Sequence, residues 1–389
     1  MPADIVYIDD EPQDLIAAAR VARAGSRFAE YVPPDLEGAE EAAAVANLWV
    51  FDFFNDNDER RNPGLRHFES NGLSVFQQFR LLVGDARPPA VVVSNHLEEA
   101  LGIEVNLERR HIIAEQVGVE WVAPKLLGEG NVIPELLALA DGVARLRSIS
   151  ARLTAADPLE YVAELARSAL ELPKNVEWAP AAVSDVAAWR PPAWIESAPD
   201  HRIALLQQKL PVQIDLRSAR SMVAWMLRQA LPYPSFIVRD RHIAVRLGLS
   251  LGCVRAATAS RTPLAKSLNR AVYKGTLAGF GGTRWWSAGI DALAWSLPRQ
   301  KDARIETLEK LVAPVELEEL ALVDPVVVSD GDLIETDDIA PAAECVRAAD
   351  DHFPPHAPPA WVRIEDARRD RVLARRVKLQ DQAELAIQP

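Results

Sequence analysis

The N-terminal third of the chain, residues 1–147, predicts a doubly wound α/β domain with a parallel sheet of five strands, and two observations carry that expectation. Short β-branched or aromatic runs alternate with stretches of helical apolar spacing. The strand candidates are also apolar at nearly every residue, as strands covered on both faces are.

Taken in order, Ile5 to Ile8 is the first strand, and Leu15, Ala18 and Val21 give helical spacing over Asp14 to Ala22. Phe28 to Val32 is a second strand, Leu48 to Phe54 a third, and Gly72 to Leu82 an amphipathic helix. Ala90 to Ser94 (AVVVS) is a fourth strand, Val119 to Val122 a short fifth, and Val132 to Arg145 the helix that follows it. In sheets of this kind ligands sit beyond the carboxyl ends of the strands, so the residues there are the ones to inspect for chemistry.

At 389 residues the chain exceeds one ordinary core, and its 49% apolar and 25% charged residues are those of a folding, globular protein. No apolar run approaches the roughly 18 residues of a membrane span, and the N-terminus lacks the basic start and cleavage site of a secretory signal. A cytoplasmic protein without a membrane partner is expected. Cys253 and Cys345 have no Cys or His at metal-ligand spacing and are expected to be inert thiols. After the α/β domain, residues 148–200 read as a helical connector with a Pro-rich linker, 201–300 as a mainly α-helical basic domain, and 301–389 as an acidic C-terminal segment. Residues 201–300 hold 15 Lys and Arg against three Asp and no Glu, a net +12, which leaves −25 on the other 289 residues. Charge segregated in this way draws polyanions to one region and repels them from the rest.

Aspartyl phosphorylation needs a nucleophilic carboxylate, acids that hold Mg²⁺, a hydroxyl that senses the phosphoryl group, and a cation on its oxygens. Asp9 and Asp10 follow the first strand directly, and a pair of carboxylates suits a hard, oxygen-seeking cation. Asp52 interrupts the apolar run LWVFDFF, where a charge requires a partner or a metal. Ser94 ends the fourth strand, and Lys125 follows the fifth.

On these residues, IDDEP, FDFF, VVVSN and WVAPK, residues 5–145 resemble a response-regulator receiver domain. The resemblance implies Asp52 as phosphoacceptor, Ser94 as switch hydroxyl and Lys125 as the phosphate-contacting base. It implies Mg²⁺ held by Asp9, Asp10, Asp52 and the backbone carbonyl of Phe54. A histidine kinase or phosphotransfer protein would be the donor, and a homodimer is an assembly the resemblance allows. The chain departs from the family pattern where Asn95 follows the hydroxyl, where Pro124 precedes Lys125 instead of following it, where Val122 stands at the aromatic-switch position, and in the insertion NDNDERRNPG at residues 55–64.

Between Phe236 and Arg261, Ala244, Gly248 and Val254 have the offsets of two closely crossing helices joined by a turn, which resembles a helix-turn-helix. The second helix would start near Ser250, with Arg255 reaching a groove and Arg261, Lys266, Arg270 and Lys274 contacting phosphates, so that DNA would bind through residues 236–274. In the cluster GGTRWWSAGIDALAW, Trp285, Ile290, Leu293 and Trp295 fit one apolar face and are expected to be core. Taken together the sequence predicts not an enzyme but an intracellular signalling protein, with either a DNA-binding output or an adaptor surface that regulates an effector protein.

Overall fold

The computed structural model describes residues 5–8, 28–31, 46–53, 72–83, 87–94, 110–124, 132–152, 167–189, 216–351, 353–354 and 356–386. They form two units, each assembled from non-contiguous stretches: residues 1–171, 191–228 and 275–281 contribute to the first, and 172–190, 229–274 and 282–389 to the second.

The first unit is built on a parallel sheet of β1 (Ile5–Ile8), β2 (Phe28–Tyr31), β3 (Leu48–Asp52), β4 (Ala90–Ser94) and β5 (Trp121–Pro124). The order is β2-β1-β3-β4-β5, and every pairing is parallel. That order is compatible with a flavodoxin-like doubly wound fold. Described residues of β1, β3 and β4 are buried at every position, which is why their sequences are apolar without alternation. The helices α1 (Gly72–Val83) and α2 (Arg110–Val117) pack on one face, where Trp49 and Phe51 meet Phe76 and Phe79 edge to face. A third helix, α3 (Ile133–Arg152), buries Leu136, Leu139 and Val143 and is tied to the entry of β3 by Arg147, which donates to Asn47 Oδ1 at 2.7 Å.

Two sequence expectations shift here. Strand β5 begins at Trp121 instead of Val119, because Gly118 takes a left-handed turn (φ 79°) and the Val119 amide closes back onto the Ala114 carbonyl. Helix α2 was not anticipated, since RHIIAEQV shows little helical periodicity. The helix expected over Asp14 to Ala22 lies outside the described residues.

The second unit begins with α4 (Ala179–Ala188), while α5 (Leu216–Trp225) packs on α3 in the first. A two-residue ribbon, β6 (Ile237–Val238) with β7 (Trp285–Trp286), frames α6 (Asp240–Leu247), α7 (Leu251–Ala259) and α8 (Pro263–Asn269). Helices α9 (Ser287–Ser296) and α10 (Lys301–Val312) follow. Thr262, fully buried, caps α8 by accepting from the Ala265 amide and donates to the Ala257 carbonyl. Thr262→Ala is expected to cost about 1–2 kcal/mol by urea denaturation, with Thr262→Ser close to wild type.

The C-terminal region forms a four-stranded sheet, order β10-β11-β8-β9, from β8 (Pro325–Ser329), β9 (Glu335–Pro341), β10 (Cys345–Ala348) and β11 (Ala360–Arg363). It is followed by the short helices α11 (Ile364–Arg369), α12 (Arg371–Arg376) and α13 (Gln382–Ala386). Reading this region only as an acidic segment missed a folded core of Val346, Val362, Ala367, Leu373 and Val377. Trp285 and Ile290 are buried as expected, but Trp295 is 81% exposed. The buried part of α9 is confined to its first four residues, so its last turn leaves the core. No described helix is long and apolar enough to cross a membrane.

Candidate functional site

Asp52 is the last residue of β3, and Ser94 the last of β4. Asp52 is level with Val93 across the ladder, so Ser94 stands one residue further along the same carboxyl edge. Successive strand residues alternate between faces, so the two side chains can converge only over that edge, which is where α/β sheets bind ligands. Both are buried, Asp52 at 6% exposure and Ser94 at 1%. Leaving the sheet, the Phe53 amide donates to the Val93 carbonyl, and the Gly72 amide donates to the Phe53 carbonyl, each at 2.9 Å. The first residue of α1 is thereby held against the end of β3. A Cβ on Gly72 would meet the backbone oxygen of Asp52 well inside 3.0 Å, so only glycine permits this approach.

Strand β1 ends level with Phe51, one residue short of Asp52, and the chain runs from it into Asp9 and Asp10. Asp9, Asp10, Phe54 and Lys125 all lie outside the described residues. Ser94 is level with Pro124, the residue before Lys125. Among the described residues no group of three acidic, His or Cys side chains is gathered to hold a metal. The donors that fit Mg²⁺ at this edge are hard oxygens, with the buried Asp52 carboxylate the described one.

In the second unit the two-helix motif has the geometry its spacing implied. Gly248 closes α6 in the left-handed conformation (φ 71°), and Ser250 caps α7 by accepting from the Cys253 amide at 3.0 Å. Ala244, Leu247, Leu249 and Val254 are buried between the helices. Arg261, Lys266, Arg270 and Lys274 are exposed at the end of α7, along α8 and beyond it, and Arg270 lies 3.8 Å from Glu177.

Arg255 is differently placed. Its Nε donates to Asp240 at 2.8 Å, and a second guanidinium nitrogen pairs with Asp337 at 2.8 Å. These carboxylates raise the pKa of Arg255 above that of a free guanidinium, and the hydrogen bond from Arg255 lowers that of Asp337. The turn is also spanned by an acidic strand of chain. The Ser250 amide donates to the Glu318 carbonyl, the Leu320 amide to the Gly248 carbonyl, and the Ser250 hydroxyl to the Glu318 carboxylate at 2.6 Å.

Much of the basic charge counted in this region is structural. Arg241 is buried and donates to the Glu335 and Thr336 carbonyls, and Arg246 donates to Ser287 and pairs with Asp291. Arg284 is buried as well, and desolvation followed by the neighbouring Arg239 and Arg241 lowers its pKa. His242 Nε2 lies 2.6 Å from Glu335 Oε1. Burial alone would raise the Glu335 carboxyl, but His242, Arg241 and Arg239 outweigh it and hold it below the usual range. Composition cannot reveal this network, because the acid facing His242, Glu335, comes from β9, 93 residues further along the chain.

The comparisons with known proteins add nothing to this geometry. No family model, curated protein or solved structure matches the chain. Cys253 and Cys345 are both buried free thiols, and burial pushes the latter up to about 11.

Proposed function

We propose that the first unit is a phosphoacceptor switch of the receiver type and that the second carries its output. The observation that carries this reading is a carboxylate, Asp52, buried at the carboxyl edge of the central strand with the Ser94 hydroxyl at the end of the next. A carboxylate held in the interior at the ligand-binding edge of an α/β sheet is a candidate for chemistry.

In this reading one Asp52 carboxylate oxygen attacks the phosphorus of the donor. A P–O bond forms, and the donor's bond to phosphorus breaks with its electron pair leaving on the imidazole nitrogen of a phosphohistidine or the carboxylate oxygen of acetyl phosphate. Asp9, Asp10, Asp52 and the Phe54 carbonyl would hold Mg²⁺, whose chemistry is to neutralise charge on the phosphoryl oxygens. Ser94 donates to a phosphoryl oxygen once the acyl phosphate exists, and the Lys125 ammonium offsets its charge. The fixed start of α1 against β3 keeps the Asp52 backbone in place while the side chain reacts.

Incubation with acetyl phosphate and Mg²⁺ is expected to add one phosphoryl group to the intact mass of the wild type and none to Asp52→Ala. Equal masses for treated and untreated wild type would overturn the reading.

For the output, the exposed Arg261 and Lys266, just beyond a closed two-helix motif and on the helix that follows it, support nucleic-acid binding. A second reading, an adaptor that regulates an effector protein, is favoured by one specific observation: the cation expected to enter a groove, Arg255, is held by Asp240 and Asp337.

A further inference from the structure

Within the net-acidic C-terminal region, charge is sharply segregated. Residues 302–351 carry 15 Asp and Glu against three Lys and Arg, whereas residues 363–378 carry seven Lys and Arg against three acids. The fold then sorts those seven cations. Arg363 is taken by Asp338 and Glu344, Arg369 by Glu365, Arg376 by the Gly331 carbonyl and Arg368 by the Glu384 and Leu385 carbonyls. The side chains of the remaining three, Arg371, Arg375 and Lys378, are exposed and make no hydrogen bond or ion pair to any described residue.

Their placement follows from the core. Helix α12 turns Leu373, 1% exposed, into the cluster with Val346, Val362 and Ala367, and Val377 follows it there. Arg371 and Arg375 are four apart and so share one face of the helix. The one acid of this turn, Asp370, faces the backbone: it caps α12 by accepting from the Val372 and Leu373 amides. Lys378 stands exposed two residues beyond the helix end, and its amide is fixed by the Arg347 carbonyl at 2.8 Å. Val372 and Leu379 are the exposed apolar side chains beside these cations, 58% and 85% accessible.

We infer that Arg371, Arg375 and Lys378 form a phosphate-contacting surface for nucleic acid. Unpaired cations on a rigid, capped helix are what backbone contacts to a duplex require, since each neutralised phosphate releases condensed counterions. Guanidinium forks match phosphate oxygens in a bidentate way that ammonium groups do not, and two of the three cations are arginines. A membrane surface fits less well. Helices α11 and α12 have six residues each, too short for a continuous apolar stripe, and among the described residues no exposed aromatic flanks the patch. This inference deepens the nucleic-acid output reading, and it places phosphate contacts in a region that composition alone marks as repelling polyanions.

The test measures binding of the full chain to a mixed-sequence DNA duplex across a salt titration, for wild type, Arg371→Ala/Arg375→Ala/Lys378→Ala, and Arg261→Ala/Lys266→Ala. The triple variant is expected to lower the slope of log affinity against log salt by about 2 to 3, at roughly 0.9 per phosphate contact. Circular dichroism melts should match wild type, because the three side chains have no described partner to lose. An unchanged slope in the triple variant with a reduced one in the double variant would overturn the inference and leave the output reading standing. No duplex binding by the wild type at low salt would overturn both, and vesicles containing phosphatidylserine, bound by wild type and not by the triple variant, would then reassign the surface to anionic lipid.

Discussion

Gly72→Val is expected to destabilise the first unit by about 3 kcal/mol or more and to abolish phosphoryl uptake at Asp52, although residue 72 bears no chemistry of its own. The added Cβ would collide with the backbone oxygen and carbonyl carbon of Asp52, and with the Cα of Phe53 behind them. These are backbone atoms at the end of a strand paired on both sides, so they cannot swing aside as a side chain would. Relief requires α1 to retreat, which breaks the Gly72 amide bond to the Phe53 carbonyl and pulls Val75, Phe76 and Phe79 from the aromatic layer on β3. Urea denaturation reads the stability, and intact mass after acetyl phosphate treatment reads the site. A variant as stable and as readily phosphorylated as wild type would show that α1 does not position Asp52. Gly72→Ala should behave in the same direction, since the collision begins at Cβ.

Glu120→Ala is expected to cost about 3 to 5 kcal/mol, the characteristic penalty for leaving one member of a buried ion pair alone. Arg87 and Glu120 are almost fully buried and joined by two hydrogen bonds, at 2.8 and 3.0 Å. Glu120 also accepts from the Ala90 amide at 2.6 Å, so the same carboxylate holds the first residue of β4 beside the approach to β5. Arg220 lies 3.8 Å away and adds a second, looser cation. Truncation leaves the buried Arg87 guanidinium without its carboxylate over the Phe76 ring, 4.8 Å from its centroid. Replacing both members, Arg87→Met with Glu120→Leu, should recover most of the loss. A single-variant cost under about 1 kcal/mol in urea denaturation would contradict this account. A double-mutant cycle isolates the coupling from the change in packing.

These two residues also mark what a linear reading misses. Gly72 reads as an ordinary glycine at the start of an amphipathic helix, and Glu120 as a polar residue inside the predicted strand Val119 to Val122. Their roles depend on groups 20 and 33 positions away in the chain, Asp52 and Arg87. By contrast, β1, β3 and β4 were legible to within two residues, because burial on both faces leaves a continuous apolar run that little else produces. The two-helix motif was legible too, since Gly248 at a left-handed helix end and Ser250 at a cap are local requirements written in local residues. The C-terminal sheet was not, because acids along Glu335 to Asp338 mask the alternation of β9. All three, Glu335, Asp337 and Asp338, pair with cations or His from other segments: His242, Arg255 and Arg363.

Of the candidate site, the sequence by itself determined which residues could do the chemistry: a carboxylate in an apolar strand, a hydroxyl ending another, and an acid pair following the first. Only the tertiary structure decided that Asp52 and Ser94 end neighbouring parallel strands at one edge. It also decided which cations are available. Summed charge gave residues 201–300 a strong positive field, yet Arg241, Arg246 and Arg284 serve the interior, Arg255 is held by carboxylates, and three unpaired cations stand in the acidic region instead. The reason is physical. Burial and pairing depend on which segments fold against each other, and a sum over sequence contains no such term.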